Sequence, residues 1–193
     1  PKVQIAGIEF QEELANLARH NAEINGFSER VEVAHADVLA PPKHLVPDTF
    51  DHVMTNPPFV EQSRGRGSLN SSKALANVES SVPLEIWINF CLSMLRQKGT
   101  LTMIHRTDRL HDVLAAVAGG AGEAIVYPLW PGSDKKPSKR FLISCRKGLR
   151  TPMMLSTGLV LHQMDGSYTP AAEKILRDGE ALDLSETVSA FDQ

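Results

Sequence analysis

Cysteine and long apolar runs are both scarce in this chain. The 193 residues include two cysteines, Cys91 and Cys145, and both stand in apolar runs. This placement favours reduced core residues and argues against a disulfide framework. No apolar run approaches the roughly 18–20 residues that a helix needs to span a bilayer, and no stretch has the pattern of a signal peptide. The composition therefore predicts a cytoplasmic protein without a membrane segment.

Metal-ligand patterns are also missing from the sequence. The seven histidines show no ligand spacing with cysteine or acidic residues, so no metal site is predicted. The net charge is only −3, but it is unevenly distributed. Residues 130–150 carry seven basic residues against one acidic residue, Asp134. This basic island predicts a local anionic partner, although a solvated turn rich in lysine would give the same pattern.

Apolar periodicity alternates between strands and helices along the chain. The predicted strands are 3–8, 31–34, 50–55, 100–105, 124–127 and 141–145, and the predicted helices are 11–25, 84–95, 110–118 and 171–177. This alternation predicts an α/β domain with a mainly parallel sheet over residues 1–150, followed by a C-terminal extension and tail at 151–193. Residues 61–82 are polar and predict a mobile loop of the kind that closes over substrates.

Three polar side chains stand at or just after the ends of predicted strands. They are Glu9, Asp37 and Asn56. Because ligands of open α/β sheets bind outside the carboxyl ends of the strands, these side chains are expected to lie at one ligand-binding edge.

The third of these strands ends in Asn56-Pro57-Pro58-Phe59. Each proline removes a backbone donor, fixes its own φ near about −65° and pushes the preceding residue out of the helical region. The tetrad can therefore neither continue a sheet ladder nor start a helix. Its stiffness suits a segment that must hold something at a fixed position.

Together these residues resemble the class I S-adenosylmethionine-dependent amino-methyltransferases. The segments DHVMTNPPF, GRGS, LTMIHRTDRL and KKPSKRFLISCRKG are most similar to the bacterial tRNA(Val) adenine-N6 methyltransferase family. The resemblance implies a Rossmann-like sheet, mainly parallel with one antiparallel strand. It also implies S-adenosylmethionine as cofactor, RNA (a tRNA) as substrate, and methyl transfer to the exocyclic amine of adenine.

The resemblance also implies roles for individual residues. The Asn56 side-chain oxygen and the Pro57 carbonyl would accept the two hydrogens of the target amine, and Phe59 would stack on the base. Cofactor binding is expected at Glu9, Phe10, Asp37, Val38 and Asn56. RNA contacts are expected at Pro58, Arg64, Arg66, Arg106, Lys135, Lys136, Lys139 and Arg140. His105 is interpreted as a core histidine.

One part of the family pattern has no counterpart in this sequence. The family's first strand and its Gly-rich loop, which hold the methionine part of the cofactor, are missing, so an N-terminally incomplete chain is expected. In this fold the family's first strand lies between the strands at 3–8 and 50–55. These two strands are therefore expected not to pair with each other directly.

Other functions fit parts of the same pattern. A glutamine-N5 methyltransferase acting on a release factor and an rRNA guanine-N2 methyltransferase would use a similar tetrad. A non-catalytic RNA-binding module on a methyltransferase scaffold would suit the missing loop, whereas the intact Glu9, Asp37 and Asn56 argue against it. The basic island favours RNA. The sequence leaves open the modified position and the oligomeric state.

Overall fold

The computed structural model describes residues 3–58, 82–132 and 136–185. The chain divides into two compact units, Pro1–Thr49 and Phe50–Gln193. Among the described residues, no helix is long and apolar enough to cross a membrane.

The first unit is a β-α-β element. Strands β1 (Ile5–Glu9) and β2 (Val31–His35) pair in parallel, with Ile5 opposite Val31 and Glu9 opposite His35. Helix α1 (Glu12–Ile24) connects them. Since the two strands run parallel, Glu9 and the residues that follow His35 lie at the same edge of this small sheet.

Helix α1 ends in a turn that its sequence specifies. Gly26 follows the helix with φ of 70°, a conformation that glycine adopts without a steric penalty. Phe27 N donates to Ala22 O at 2.7 Å, and Gly26 N donates to Glu23 O at 2.9 Å. These two bonds form a Schellman motif, which satisfies the last helical carbonyls and turns the chain towards β2.

The described residues of the second unit form a six-stranded sheet with helices. Its elements are β3 (Phe50–Thr55), α2 (Leu84–Met94), β4 (Leu95–Arg106), a 3₁₀ turn (Thr107–Arg109), α3 (Leu110–Ala118), β5 (Ala121–Gly132), β6 (Arg140–Lys147), β7 (Met154–Leu155), β8 (Leu159–His162) and α4 (Pro170–Leu176). The strand order is β3-β4-β6-β5-β7, and β8 also pairs with β5. Strand β6 runs antiparallel to both its neighbours, while the other pairs are parallel.

One face of this sheet forms the core. Leu101 and Met103 on β4 lie opposite Cys145 and Ile143 on β6, and all four side chains are buried. They pack in one cluster with apolar residues of α2 and α3, among them Ile88, Leu92, Val113 and Val117. Full burial of one such aliphatic side chain contributes about 1.5–3 kcal/mol.

The fold confirms the main predictions and corrects several boundaries. The α/β class and the mainly parallel sheet are as expected, and so is the one antiparallel strand, β6, among the strands that the structure describes. Strands β4 and β5 are each 12 residues long, about twice or three times the predicted lengths. Both cysteines are free and buried, and burial raises the pKa of each thiol to about 12.

The partners of β1 and β3 lie within their own units. Within the described residues, β1 pairs with β2, and β3 pairs with β4. The expectation about β1 and β3 stays a prediction. The C-terminal residues predicted as a separate extension contribute β7 and β8 to the sheet of the second unit. The division at residue 150 stays a prediction, as does the mobile loop at 61–82, which lies almost entirely outside the described residues.

Candidate functional site

The Asn-Pro-Pro segment leaves the carboxyl end of β3. Thr55 is the last residue of the strand and lies opposite Met103 of β4. Asn56 is exposed, whereas Pro57 is buried and Pro58 is half-buried. A buried proline next to an exposed amide fixes the backbone while leaving the Asn56 side chain open to a ligand. Phe59, the last residue of the tetrad, lies outside the described residues.

A side chain from α2 fixes the end of β3. The indole Nε1 of Trp87 donates to the Thr55 hydroxyl oxygen at 2.9 Å, and both side chains are half-buried. The backbone of Trp87 is itself held, because its N–H donates to Pro83 O at 3.0 Å. The residue directly before Asn56 is therefore anchored to the first turn of a helix that packs into the core. Trp87 was not singled out from the sequence, where nothing marks it as a partner of Thr55.

Strand β4 ends at the same edge, in an arginine whose positive charge is paired with an acidic side chain. Strand β4 ends at Arg106, whose guanidinium bonds to both carboxylate oxygens of Asp108, with Nε to Oδ1 at 3.0 Å. These hydrogen bonds hold the pKa of Asp108 below its usual range. A phosphate bound by Arg106, as the sequence predicted, would therefore compete with the Asp108 carboxylate for the guanidinium.

His105 points into the core, as the sequence predicted. Its side chain is buried on the same sheet face as Met103 and lies opposite Phe141. Burial lowers its pKa below 6.5, because the charged imidazolium loses its hydration.

Two carboxylates lie at the carboxyl edge of the first unit. Glu9 ends β1, and its Oε1 accepts a hydrogen bond from Gln11 N at 2.9 Å. Asp37 follows β2, and its Oδ1 accepts from Leu39 N at 2.8 Å. The donor in each bond is the backbone N–H two residues further along the chain. Each carboxylate is therefore oriented by a local contact. One oxygen of each carboxylate has no hydrogen bond to a residue that the structure describes.

The groups around these carboxylates match an adenosine ligand. Two ribose hydroxyls are donors that one carboxylate can accept, and an adenine amine is a donor for a second carboxylate. The side chain of Phe10 next to Glu9 is 45% exposed, and Val38 next to Asp37 is half-buried. The first unit therefore offers acceptors and apolar surface of the kind that the adenosine half of S-adenosylmethionine requires.

The predicted RNA-binding residues are only partly described. Lys136, Lys139 and Arg140 are exposed, and Arg140 begins β6 directly opposite Arg106. Arg64, Arg66 and Lys135 lie outside the described residues. In the part of the chain that the structure describes, no group of acidic, histidine or cysteine side chains could hold a metal ion.

Comparison with known proteins identifies the class and then the family. A crystal structure from Agrobacterium tumefaciens, described as a predicted O-methyltransferase, matches with a TM-score of 0.73 at 24% identity, over 93% of this chain and 79% of that one. The tRNA (m1A58) methyltransferase of Aquifex aeolicus matches with a TM-score of 0.52 at 11% identity, over 77% and 54%. The fold is that of the class I S-adenosylmethionine-dependent methyltransferases.

Proteins related in sequence identify the family within this class. The family model "N-6 DNA Methylase" matches residues 1–118. A tRNA1(Val) (adenine(37)-N6)-methyltransferase of Porphyromonas gingivalis is 32% identical over 177 residues, which cover 88% of this chain and 68% of that protein. The protein of the same name in Vibrio campbellii is 25% identical over 168 residues, covering 86% and 66%. The chain belongs to this family of N6-adenine methyltransferases, whose methyl donor is S-adenosylmethionine.

Proposed function

We propose that this protein methylates the exocyclic N6 amine of an adenine in tRNA, at the position 37 that its relatives' names specify. The observation that carries the proposal is the Asn-Pro-Pro turn, which starts from a strand end anchored by the Trp87–Thr55 hydrogen bond. The relatives' names support tRNA as the substrate. The exposed Lys139 and Arg140 at the same edge of the sheet support an anionic substrate over a protein.

The tetrad acts by positioning the amine. The lone pair of adenine N6 is delocalised into the ring, which makes this nitrogen a poor nucleophile. The Asn56 side-chain oxygen and the Pro57 carbonyl accept its two N–H groups and so direct the lone pair towards the incoming methyl group. The prolines fix the two acceptors relative to each other, because they leave the segment little conformational freedom. Phe59 adds a ring on which the extruded base stacks.

The first unit binds the methyl donor. S-adenosylmethionine supplies an electrophilic methyl group on a sulfonium. Glu9 accepts hydrogen bonds from the two ribose hydroxyls, and Asp37 accepts one from the adenine amine of the cofactor. Phe10 and Val38 contact the adenine ring. These contacts orient the cofactor, and neither carboxylate takes part in the chemical step.

The test is to identify the methylated nucleoside. The full-length protein is incubated with labelled S-adenosylmethionine and bulk tRNA from cells that lack the gene, and the digested nucleosides are analysed by mass spectrometry. Matched reactions contain rRNA, duplex DNA or a release-factor protein. We expect N6-methyladenosine in the tRNA fraction alone. N2-methylguanosine in rRNA, or methylglutamine in the protein, would instead support one of the other amino-methyltransferase functions.

A further inference from the structure

The carboxyl edge of the second unit's sheet extends beyond the tetrad and the basic residues. Strands β3, β4, β5 and β8 all run in the same direction, so Asn56, Arg106, Gly132 and His162 all lie at or just after strand ends along this edge. From β3 to β8 there are four strand spacings of about 4.8 Å, or roughly 19 Å. At about 3.4 Å per nucleotide along a helical strand, that distance corresponds to about five to six nucleotides.

A stacked ring pair lies at the far end of this edge. The rings of His162 and Tyr168 have centroids 4.9 Å apart and an interplanar angle of 25°. His162 is the last residue of β8, and its Nδ1 is 2.9 Å from Pro131 O of β5. The side chain of Tyr168 remains 38% exposed. The pair is therefore fixed on the sheet on one side and open to solvent on the other.

Hydrogen bonds make the turn between the two rings rigid. Gln163 N donates to Ser167 O at 2.8 Å, and the Gln163 side-chain amide donates to Tyr168 O at 3.1 Å. After the turn, Thr169 Oγ1 donates to Val160 O at 2.7 Å. A preorganised aromatic surface loses little conformational entropy when a ring stacks on it.

A cavity opens beside His162 of this pair. Its volume is about 380 Å³, and it is lined by Val160, His162, Gln163, Met164, Asp165 and Thr169. This volume lies at the lower end of the range of about 300–1,000 Å³ that is typical of small-ligand sites. The lining combines an aromatic ring, apolar side chains and the Gln163 amide, which suits a planar ring with polar edges such as a nucleobase.

The charges around the cavity indicate how a nucleotide would be oriented. Hydrogen bonds from Ser167 hold the pKa of Asp165 low, so this carboxylate disfavours a phosphate at the cavity. Lys139 and Arg140, which precede and begin β6 on the other side of β5, form no ion pair with any residue that the structure describes. The phosphates of a bound strand would therefore pass the start of β6, while a base would stack at the end of β8.

We propose that His162 and Tyr168 form a stacking subsite for a nucleotide that flanks the target adenine of the tRNA. Lys139 and Arg140 contact the phosphates between this subsite and the tetrad. The proposal rests on the proposed function, because it assumes that the substrate is an RNA strand. It assigns a substrate-binding role to the C-terminal segment that contains β8.

The test measures tRNA binding and turnover separately. In the full-length protein, Tyr168→Ala is expected to raise the KM for tRNA and the tRNA Kd about 5- to 100-fold, since loss of base stacking on an aromatic ring has effects of this size. Tyr168→Phe keeps the ring and is expected to stay within about threefold of wild type. Affinity for S-adenosylmethionine and kcat at saturating tRNA are expected to be unchanged in both variants.

Matched controls separate this role from folding effects. Tyr168→Leu keeps apolar bulk without an aromatic ring, and it is expected to behave like Tyr168→Ala with an unchanged melting temperature. Phe27→Ala removes an aromatic side chain of similar exposure from the turn between α1 and β2 of the first unit. This variant is expected to leave tRNA binding unchanged. For charge, Lys139→Gln with Arg140→Gln is expected to reduce the slope of log Kd against log salt by about two, whereas Lys98→Gln at the start of β4 leaves it unchanged.

The outcomes distinguish this inference from the proposed function. A tRNA Kd for Tyr168→Leu within twofold of wild type would overturn the subsite, and so would an equal loss in Phe27→Ala. Direct tRNA binding without S-adenosylmethionine reports on the subsite even if the wild type methylates no tRNA. In that case a selective loss in the Tyr168 variants would uphold the subsite, while the proposed reaction would fail.

Discussion

The two groups of site residues are held in place by different means. Glu9 and Asp37 in the first unit are each oriented by a backbone N–H two residues away. The turn that begins at Asn56 in the second unit instead depends on Thr55 and Trp87, which are 32 residues apart in the chain. Local bonds of the first kind tolerate changes elsewhere in the protein, whereas the second kind transmits the packing of α2 to the tetrad.

This difference matches what each group is proposed to do. A carboxylate that binds two hydroxyls or an amine needs only to face its ligand. An acceptor that directs a lone pair must be placed to within a fraction of an ångström, because small displacements at a reacting centre reduce rates strongly. The proposed role of Asn56 therefore calls for a tertiary anchor, and the Trp87–Thr55 hydrogen bond next to it is of that kind.

Apart from the variants of the closing test, the largest effect is expected at Asp37. Asp37→Ala removes a charge-assisted hydrogen bond worth about 1.5–3 kcal/mol, so affinity for S-adenosylmethionine is expected to fall about 10- to 100-fold by calorimetry. Asp37→Asn keeps an oxygen for the Leu39 N–H and is expected to lose less affinity. Glu29→Gln, an exposed carboxylate before β2, serves as the control and should bind the cofactor normally. Equal affinities in all three variants would remove Asp37 from the cofactor site.

A smaller effect is expected at the tertiary anchor. Trp87→Phe keeps the aromatic packing but removes the donor to Thr55, and one such bond contributes about 0.5–1.5 kcal/mol. The methyl-transfer rate at saturating tRNA is expected to fall up to about tenfold, while cofactor affinity stays unchanged. Thr55→Val should give a similar loss, and the double variant should lose no more than either single one.

Trp130 provides the matched control for this experiment. Its indole also donates a hydrogen bond, to Thr157 O at 2.8 Å, but between β5 and the segment before β8. Trp130→Phe is expected to leave the saturated transfer rate unchanged. If it slows transfer as much as Trp87→Phe does, the effect is one of general packing and the anchor has no specific role.

The smallest effect concerns the pH dependence of stability. His105 has a pKa below 6.5 in the folded protein, beside the charges of Arg106, Asp108 and Arg109. The unfolded chain therefore takes up a proton at this histidine before the folded protein does, and stability falls as the pH drops below about 6.5. The urea midpoint of His105→Gln is expected to change less between pH 7.5 and 5.5 than that of wild type. Identical changes in both proteins would contradict this interpretation.

The sequence predicted those features that short segments determine. Alternating apolar patterns gave the order of strands and helices, including the helix predicted at 11–25, which the structure has at Glu12–Ile24. The same patterns placed Glu9, Asp37 and Asn56 at or just after strand ends, as the structure has them, while their roles stay predictions. These features depend on neighbours within a few residues.

Features that depend on distant contacts were not predicted. The spacing of Leu14, Leu17 and Ile24 is that of an amphipathic helix, yet these side chains are 44%, 53% and 66% exposed, and α1 buries Ala15 and Ala22 instead. The added start of β4 includes Leu95, which pairs with Phe50 of β3, and the added length of β5 follows from its pairing with β6 and β8, which no local pattern reveals. The Trp87–Thr55 bond and the His162–Tyr168 pair likewise join residues whose relation only the folded chain shows.

The most direct test compares two variants with the same two measurements. Glu9→Gln and Asn56→Ala, both in the full-length protein, are examined for the Kd of S-adenosylmethionine and for the single-turnover rate of methyl transfer to tRNA at saturating cofactor. Asn56→Ala is expected to lower the rate about 10²- to 10³-fold with an unchanged Kd, because it removes one preorganised acceptor at the reacting centre. Glu9→Gln is expected to raise the Kd with a nearly unchanged rate. A wild-type rate in Asn56→Ala would contradict the assignment of the tetrad as the holder of the target amine.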